Sequence, residues 1–323
     1  MRVFITGAAG CIGSELAASL VARGDEVAGF DNLSSGRLDH LSDILDSPNF
    51  RFVEGDLLDL AALSRALGEA DIVFHLAANP DVKFSPGDPS DKDLRQNTIA
   101  THNLLEAMRR KGVSKIVFSS TSAVYGCVER LPIPEDGVFP LPISLYGAAK
   151  LACEALISSF VSMFGMQAWI FRFANIVGPK ARKQGGTVIG DFIDRLSVDP
   201  GRLRILGDGR QAKSYLLCEE CVEAMLYVIA RADARLNIYN LGCSDSVTVD
   251  AIAGMVEEAM GLRDVRREYT GGEGGWPGDV PRFILDVTRV NQLGWRARRT
   301  SAEAVAIAIR AALDRRCVFA GAR

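Results

Sequence analysis

Short apolar runs alternate along the chain with longer segments in which apolar residues recur every three or four positions. The longer segments are typical of amphipathic helices, and the first of them carries Ile12, Leu16 and Leu20 on one stripe. This alternation indicates βαβ units and predicts an α/β fold with a doubly wound parallel sheet covered by helices on both faces. Six runs before residue 174 are predicted strands: Val3–Thr6, Glu26–Phe30, Arg51–Val53, Ile72–His75, Lys115–Ser119 and Gln167–Phe173.

The pattern changes after Gly178-Pro179, where a basic, glycine-containing loop is followed by shorter elements. A chain of 323 residues also exceeds the roughly 100 to 200 residues of one domain. We predict a nucleotide-binding lobe over 1–174, to which the chain returns around 212–243. A smaller C-terminal α/β lobe over 175–211 and 244–323 is predicted to bind substrate. The later predicted elements are a helix at Tyr215–Ala230, a strand at Leu236–Leu241, and helices at Thr248–Met260 and Ser301–Arg315.

Composition and charge narrow the classes of partner. The net charge of −3 and the pI near 5.8 give no positive field for nucleic acid or an anionic membrane. No signal sequence and no window of about 18 uninterrupted apolar residues stands out, so we predict a soluble cytoplasmic protein with a small-molecule substrate. Seven scattered cysteines predict free thiols in a reducing compartment, and Cys218-x-x-Cys221 with only three histidines predicts no metal site.

A glycine-rich turn follows the first predicted strand directly. Gly7-Ala-Ala-Gly10-Cys11-Ile12-Gly13 would close a tight turn and open the first helix. Glycines at this place let the backbone approach a pyrophosphate, and the helix N-terminus supplies N–H donors, so the segment predicts a Rossmann dinucleotide site. The spacing alone is a weak signal, because any glycine-rich strand-to-helix turn shows it.

An acidic residue ends the second predicted strand, eighteen positions after Gly13. Asp31 would accept hydrogen bonds from the adenosine ribose hydroxyls and disfavour a 2′-phosphate, which predicts NAD rather than NADP. Arg37 keeps NADP open as the alternative. Residues that end the third and fourth strands, such as Asp56 and Ala77, are placed to reach the same cofactor, although ordinary turns explain them equally well.

Tyr146 and Lys150 stand one helical turn apart, on the same face of a predicted helix. A neighbouring cation favours the phenolate, so the pair is a candidate for proton transfer. The four hydroxyl residues Ser119 to Ser122 end the fifth strand at the same sheet edge as the cofactor turn. Some of them are expected only to satisfy the backbone where the strand ends.

In this order and spacing, the glycine turn, Asp31, the hydroxyl cluster and the Tyr146–Lys150 pair resemble the extended short-chain dehydrogenase/reductases. The resemblance is strongest to their NAD-dependent sugar-nucleotide epimerase/dehydratase branch, and within it to the 4-epimerases of UDP-glucose and UDP-glucuronate. It covers nearly the whole chain. Further matching stretches are DNLSSG (31–36), GDLLD (55–59), NTIATHNLLEAM (97–108), RFANIVGP (172–179), GDGRQAKSY (207–215) and PGDVPRFILD (277–286).

The resemblance implies a role for each matching position. Thr121, Tyr146 and Lys150 would be catalytic. Residues expected to contact NAD are Gly7, Gly10, Cys11, Ile12, Gly13, Asp31, Asn32, Ser35, Gly36, Asp56, Leu57, Leu76, Ala77, Ala78, Asn97, Ser119, Tyr146, Lys150 and Phe173. Residues expected to contact substrate are Asn79, Thr121, Ser122, Tyr146, Asn175, Arg182, Val188, Lys213 and Asp279. Lys213 and Trp276 depart from the family, which often has arginine at these two positions.

The residues after Thr121 separate the reactions of the branch. Its members share oxidation of the sugar at C4 to a 4-keto intermediate, and dehydratases or decarboxylases then use carboxylates next to the catalytic Thr. Here those positions are Ser122 and Ala123. The resemblance therefore implies a UDP-hexose 4-epimerase with tightly bound NAD. The alternatives are a dehydratase, decarboxylase or reductase of the same fold, and a non-catalytic NAD-binding regulator.

The sequence leaves two classes of hexose open as the substrate sugar. Phe283 occupies a position whose bulk, by resemblance, restricts N-acetylated sugars, which favours UDP-glucose and UDP-galactose. Arg182 lies where UDP-glucuronate 4-epimerases have a carboxylate-binding arginine, which favours UDP-glucuronate and UDP-galacturonate. The family's usual homodimer would form through Leu94–Met108 and Leu151–Phe160, whose stripes fit a protein core equally well.

Overall fold

The computed structural model of the chain describes residues 1–83, 87–180 and 187–320. Its strands are β1 (Arg2–Thr6), β2 (Glu26–Asp31), β3 (Phe50–Glu54), β4 (Ile72–His75), β5 (Lys115–Thr121), β6 (Gln167–Phe173), β7 (Asn175–Val177), β8 (Arg202–Ile205), β9 (Ala212–Lys213), β10 (Tyr215–Leu217), β11 (Leu236–Leu241), β12 (Val247–Thr248), β13 (Arg266–Tyr269) and β14 (Arg282–Phe283). Its α-helices are α1 (Cys11–Ala22), α2 (Leu60–Leu67), α3 (Ala100–Lys111), α4 (Leu145–Phe164), α5 (Val188–Val198), α6 (Cys218–Ile229), α7 (Val249–Ala259), α8 (Thr288–Gln292) and α9 (Ser301–Ala320).

Seven strands form one parallel sheet in the order β11-β6-β5-β4-β1-β2-β3. This confirms the predicted doubly wound α/β fold. The strand order reverses between β1 and β4, and in such sheets ligands bind at the carboxyl ends of the strands flanking the reversal. The segments that follow β1 and β4 therefore border the expected crevice.

Apolar side chains cover the sheet on both faces. On one face α1 and α6 contribute to a cluster that contains Leu16, Leu20 and Met225, all fully buried. On the other face α2, α3 and α4 build a second cluster, in which Leu104 and Leu105 are fully buried. Because these α3 residues belong to the core of one chain, they are not part of a subunit interface.

The elements outside this sheet surround a third core. β7 pairs in parallel with β10, β8 with β13, and β9 with both β12 and β14. Helices α5, α7 and α9 pack together, with Phe192, Ile252 and Val305 among their buried residues. The single helix predicted at Tyr215–Ala230 is wrong at its start, because Tyr215–Leu217 form β10 and the helix begins only at Cys218.

Helix α4 is long and apolar enough to pass a composition test for a membrane span, with a mean hydropathy of 1.3. One face of the helix packs inside the protein, since Cys153 and Ile157 belong to the core cluster beneath the sheet. Met163 and Phe164, at its C-terminal end, are exposed. The same helix carries Tyr146 and Lys150. Its apolar character therefore reflects burial against β5 and β6 only in part.

A buried ion pair joins α4 to the centre of the sheet. The Arg172 guanidinium donates to the Glu154 carboxylate at 2.7 and 3.0 Å, and both side chains are almost fully buried. Glu154 also accepts a hydrogen bond from the Ser120 hydroxyl. A second Arg172 nitrogen donates at 2.9 Å to the Tyr125 hydroxyl, which itself donates to Asn240 at 2.8 Å. This network connects α4, β5, β6 and β11.

We predict that Glu154→Gln destabilises the protein strongly. Removing one partner leaves the Arg172 charge buried and uncompensated, which typically costs about 3–5 kcal/mol. Urea denaturation would measure the free energy of unfolding. Glu106→Gln is the matched control, because Glu106 pairs with Arg109 and Arg110 on the surface of α3 and its loss is expected to change stability little. Equal stability of Glu154→Gln and wild type would contradict a structural role for the pair.

Candidate active site

The glycine turn after β1 leaves no room for side chains. Gly7 has a φ of +72°, and a Cβ there would lie 2.6 Å from the backbone nitrogen of Ala77. A Cβ on Gly13 would lie 2.0 Å from the Gly7 carbonyl oxygen. Helix α1 begins at Cys11, and its N-cap residue is Gly10, which has no side chain to bind the first N–H groups. The N–H groups of its first turn thus face the crevice and fit a dinucleotide pyrophosphate.

Asp31 stands at the carboxyl end of β2, nine-tenths buried. Its carboxylate accepts hydrogen bonds from the backbone N–H of Ala9 at 2.9 Å and of Leu33 at 2.8 Å. Burial raises the pKa of Asp31, and the two backbone donors oppose this shift. Each carboxylate oxygen keeps a lone pair for a ribose hydroxyl. Arg37, the residue that left NADP open, is paired with Asp39.

Most of the remaining predicted cofactor residues follow β2, β3 and β4 at the same sheet edge, while Asn97 lies in the helical turn Leu94–Ile99 and Phe173 ends β6. The Asn32 amide donates to the Asp56 carboxylate at 3.0 Å, which joins the loops after β2 and β3. Gly36 lies against Ala9 and Asp31. The Ala77 N–H points to the Thr6 hydroxyl at 3.3 Å. Together with the glycine turn and Asp31, these residues lie along one edge of the sheet, and their types fit NAD.

Lys150 is held under the end of β5. Its ammonium donates to the Ser119 carbonyl at 2.7 Å and lies 4.6 Å from the centroid of the Phe118 ring. Only 2% of its surface is exposed, and this burial lowers its pKa from 10.5 to about 8. The Ser119 hydroxyl donates to the His75 carbonyl at 3.2 Å, so it is committed to the backbone.

The structure brings Thr121 and Tyr146 together. Helix α4 begins at Leu145 behind the capping residue Ser144, so Tyr146 lies in its first turn. Burial raises the pKa of the Tyr146 phenol, and its hydrogen bond with Thr121 lowers it. Because the Lys150 ammonium is bound to Ser119, a lowering of the Tyr146 pKa by Lys150 stays a prediction. The Thr121 hydroxyl also accepts from the backbone N–H of Ala123 at 3.2 Å.

Asp93 is a buried carboxylate that the sequence reasoning missed. It accepts hydrogen bonds from the side-chain amides of Asn79 and Asn97, each at 3.2 Å. Burial raises the pKa of Asp93, and its charge raises the pKa of Tyr146. Asn97 also accepts from the Asn79 backbone N–H at 2.9 Å. The spacing of four between Asp93 and Asn97 was the signal available in the sequence.

A cavity of about 210 Å³ lies beside β7, α5 and β9. Four predicted substrate residues line it, namely Asn175, Val188, Lys213 and Asp279. The Lys213 ammonium donates to the Asp279 carboxylate at 2.5 Å. The other predicted substrate residues, Asn79, Thr121, Ser122 and Tyr146, lie at the sheet edge, while Arg182 falls outside the described residues.

The family model for the NAD dependent epimerase/dehydratase family matches residues 3–242. The chain belongs to this family. Its resemblance to extended short-chain dehydrogenase/reductases is thereby confirmed. The family's cofactor is NAD, and the glycine turn, the uncapped start of α1 and the Asp31 carboxylate fit it.

Individual members of the family are similar over nearly the whole chain. A UDP-glucose 4-epimerase of Mycolicibacterium smegmatis is 32% identical, with 95% of this chain and 96% of the relative covered. A crystal structure of UDP-galactose 4-epimerase superposes with a TM-score of 0.86 at 38% identity, covering 98% and 99% of the two chains. MoeE5 in complex with UDP-glucuronic acid and NAD gives a TM-score of 0.84 at 32% identity, with 98% and 100% covered.

Burial of Lys150 predicts a pH-dependent stability. A pKa lowered from 10.5 to about 8 means that the folded state binds fewer protons than the unfolded state between these values. The buried charge therefore costs about 3 kcal/mol at neutral pH. In cofactor-free protein, we expect the stability of wild type relative to Lys150→Met to rise as the pH increases from 8 to 10.5.

Denaturant titrations across this pH range would measure the difference. Lys115→Met is the matched control, because Lys115 is exposed at the start of β5 and should give curves parallel to wild type. Parallel curves for Lys150→Met and wild type would contradict the lowered pKa.

Proposed function

We propose that the protein is a UDP-hexose 4-epimerase that keeps NAD bound through the catalytic cycle. The relatives named above support an epimerase with a UDP-sugar substrate. The observation that carries the choice of reaction is the segment after Thr121. Ser122 and Ala123 stand there in a single 3₁₀ turn, Ser122–Tyr125, and neither of them can act as a general acid or base in a second reaction.

Tyr146 and Thr121 are the residues that would take part in proton transfer at the sugar. When bound, NAD supplies a position that accepts a hydride from the sugar and returns it. The Tyr146 phenolate would take the proton of the 4-hydroxyl, and Thr121 would hydrogen-bond the same oxygen. The Lys150 ammonium, fixed on the Ser119 carbonyl, would add positive charge beneath the site.

Only one further reaction of the 4-keto sugar needs no additional catalytic group. Dehydration or decarboxylation needs further groups that move protons near C5 and C6. Asp93 is a buried carboxylate close to Tyr146, and its hydrogen bonds to Asn79 and Asn97 commit it to joining the segment after β4 to the helical turn Leu94–Ile99. Return of the hydride to the opposite face of the ketone would give the 4-epimer, so the bound cofactor would be unchanged after each cycle.

The proposal keeps two pairs of substrates. One pair is UDP-glucose with UDP-galactose, and the other is UDP-glucuronate with UDP-galacturonate. MoeE5 has been solved with UDP-glucuronic acid and also with UDP-glucose, so similarity to it favours neither. Phe283 is buried in β14, and by the resemblance its bulk would disfavour an N-acetyl group. Arg182, the residue that would favour the uronate, lies outside the described residues.

We also propose a cytoplasmic homodimer. Large apolar side chains are exposed on and around α3 and α4, including Leu94, Ile99, Met163 and Phe164. Two helices that leave such residues in solvent are suited to pack against their copies in a second subunit. Leu104, Leu105 and Met108 take no part, because they are buried in the single chain.

Product analysis tests the reaction. We expect incubation with a panel of UDP-sugars to interconvert one pair of C4 epimers, identified by proton NMR. Tyr146→Phe should lower kcat by at least about 100-fold, because it removes the general acid/base. Tyr227→Phe is the control, since among the described residues that hydroxyl donates to the Leu293 carbonyl at 3.1 Å, and neither residue is part of the proposed site. A product that has lost a C6 oxygen or carbon would contradict the epimerase proposal.

The charge of Asp93 predicts a shift of the pH profile. Because this carboxylate raises the pKa of Tyr146, Asp93→Asn should lower that pKa. The rising limb of kcat/KM against pH, set by formation of the phenolate, should therefore move to lower pH. Thermal denaturation would verify that the variant is folded. A limb that stays in place or moves to higher pH would show that Asp93 does not control Tyr146.

A further inference from the structure

Lys83 is a positively charged residue that lines the cavity and that was not among the predicted site residues. It stands on the segment after β4, and its ammonium lies 4.8 Å from the centroid of the Trp276 indole. The same ammonium pairs with Asp191 of α5 at 3.3 Å, between residues 108 positions apart in the chain. Lys83 thus reaches from the segment after β4 across to α5, which belongs to the third core.

Lys213 approaches the same indole. Its ammonium lies 5.2 Å from the ring centroid and is paired with Asp279. An indole face attracts ammonium groups and holds them without neutralising their charge. An ammonium group has three N–H donors, and the ion pair with its aspartate uses one of them. Both lysines therefore keep donors for a ligand that enters the cavity.

Two residues that line the cavity carry buried polar atoms that have no hydrogen-bond partner within the described part of the chain. They are the Gln211 carbonyl oxygen and the Trp276 indole nitrogen. The Gln211 amide nitrogen donates to the Leu206 carbonyl at 3.0 Å, while its oxygen accepts nothing. A buried polar group without a partner is costly, so a ligand would satisfy these atoms if a small turn of each side chain brought them to the cavity surface.

We propose that Lys83, held on the Trp276 indole, is a specificity residue that binds the diphosphate of the nucleotide sugar together with Lys213. The inference rests on the proposed function and adds a residue to its substrate site. The two ammonium groups lie over one ring. A ligand with two linked phosphate groups can pair with both of them, whereas a ligand with one carboxylate pairs less completely. The two aspartates keep the lysines oriented, and Arg195 in the same lining leaves a net positive charge.

Calorimetric titration of the NAD-loaded protein with UDP, UMP and uridine tests this role. Lys83→Met should weaken UDP binding by about ten-fold or more, because one charge-assisted contact is lost. The loss should be smaller for UMP and absent for uridine. Lys83→Arg keeps the charge and should retain most of the affinity. Lys115→Met is the matched control and should bind UDP like wild type.

Each outcome has a separate meaning. Equal UDP affinity of Lys83→Met and wild type, or the same loss for uridine as for UDP, would overturn the diphosphate role of Lys83. Trp276→Leu should also weaken UDP binding while Trp276→Phe should not, since only Phe keeps an aromatic face. Wild type that binds no UDP would overturn the proposed substrate class as well. Lys83-dependent UDP binding without any epimerised product would overturn the reaction alone.

Discussion

One face of α4 fixes the end of β5, and the arrangement of the candidate active site depends on this contact. Tyr146, Lys150 and Glu154 follow one another at intervals of four, and they meet Thr121, the Ser119 carbonyl and the Ser120 hydroxyl respectively. Three consecutive strand residues are thus held by three consecutive turns of one helix. The buried Arg172 closes the arrangement by anchoring Glu154 to β6. A shift of either element along the other would separate the phenol from Thr121.

The hydroxyl-rich end of β5 divides its residues between structure and chemistry. Ser119 and Ser120 are committed to the His75 carbonyl and the Glu154 carboxylate. Thr121 lies at the end of the strand, where its hydroxyl meets Tyr146. Position along the strand explains this division, because Thr121 is the last residue of β5 and caps the 3₁₀ turn that follows.

Much of the fold was predictable because apolar runs between turn residues give clear limits. Ile72–His75, Gln167–Phe173 and Leu236–Leu241 agree with the observed strands at both ends. Tyr215–Leu217 did not, because β10 passes into α6 without a turn residue to mark the boundary. Tyr146 and Lys150 could be found from local spacing. Lys83 could not, since its partners Asp191 and Trp276 are far away in sequence and only the fold brings them near.

Helix α4 also poses a problem during synthesis. Its length and hydropathy match those of a membrane span, yet Lys150 and Glu154 interrupt the apolar stretch and end up buried. Charged residues within such segments act against aggregation before folding is complete. By this rule, Lys150 and Glu154 are expected to lower the aggregation tendency of the unfolded helix segment. Replacing Lys150 by an apolar residue would remove a proposed catalytic group and lengthen the uncharged stretch at once.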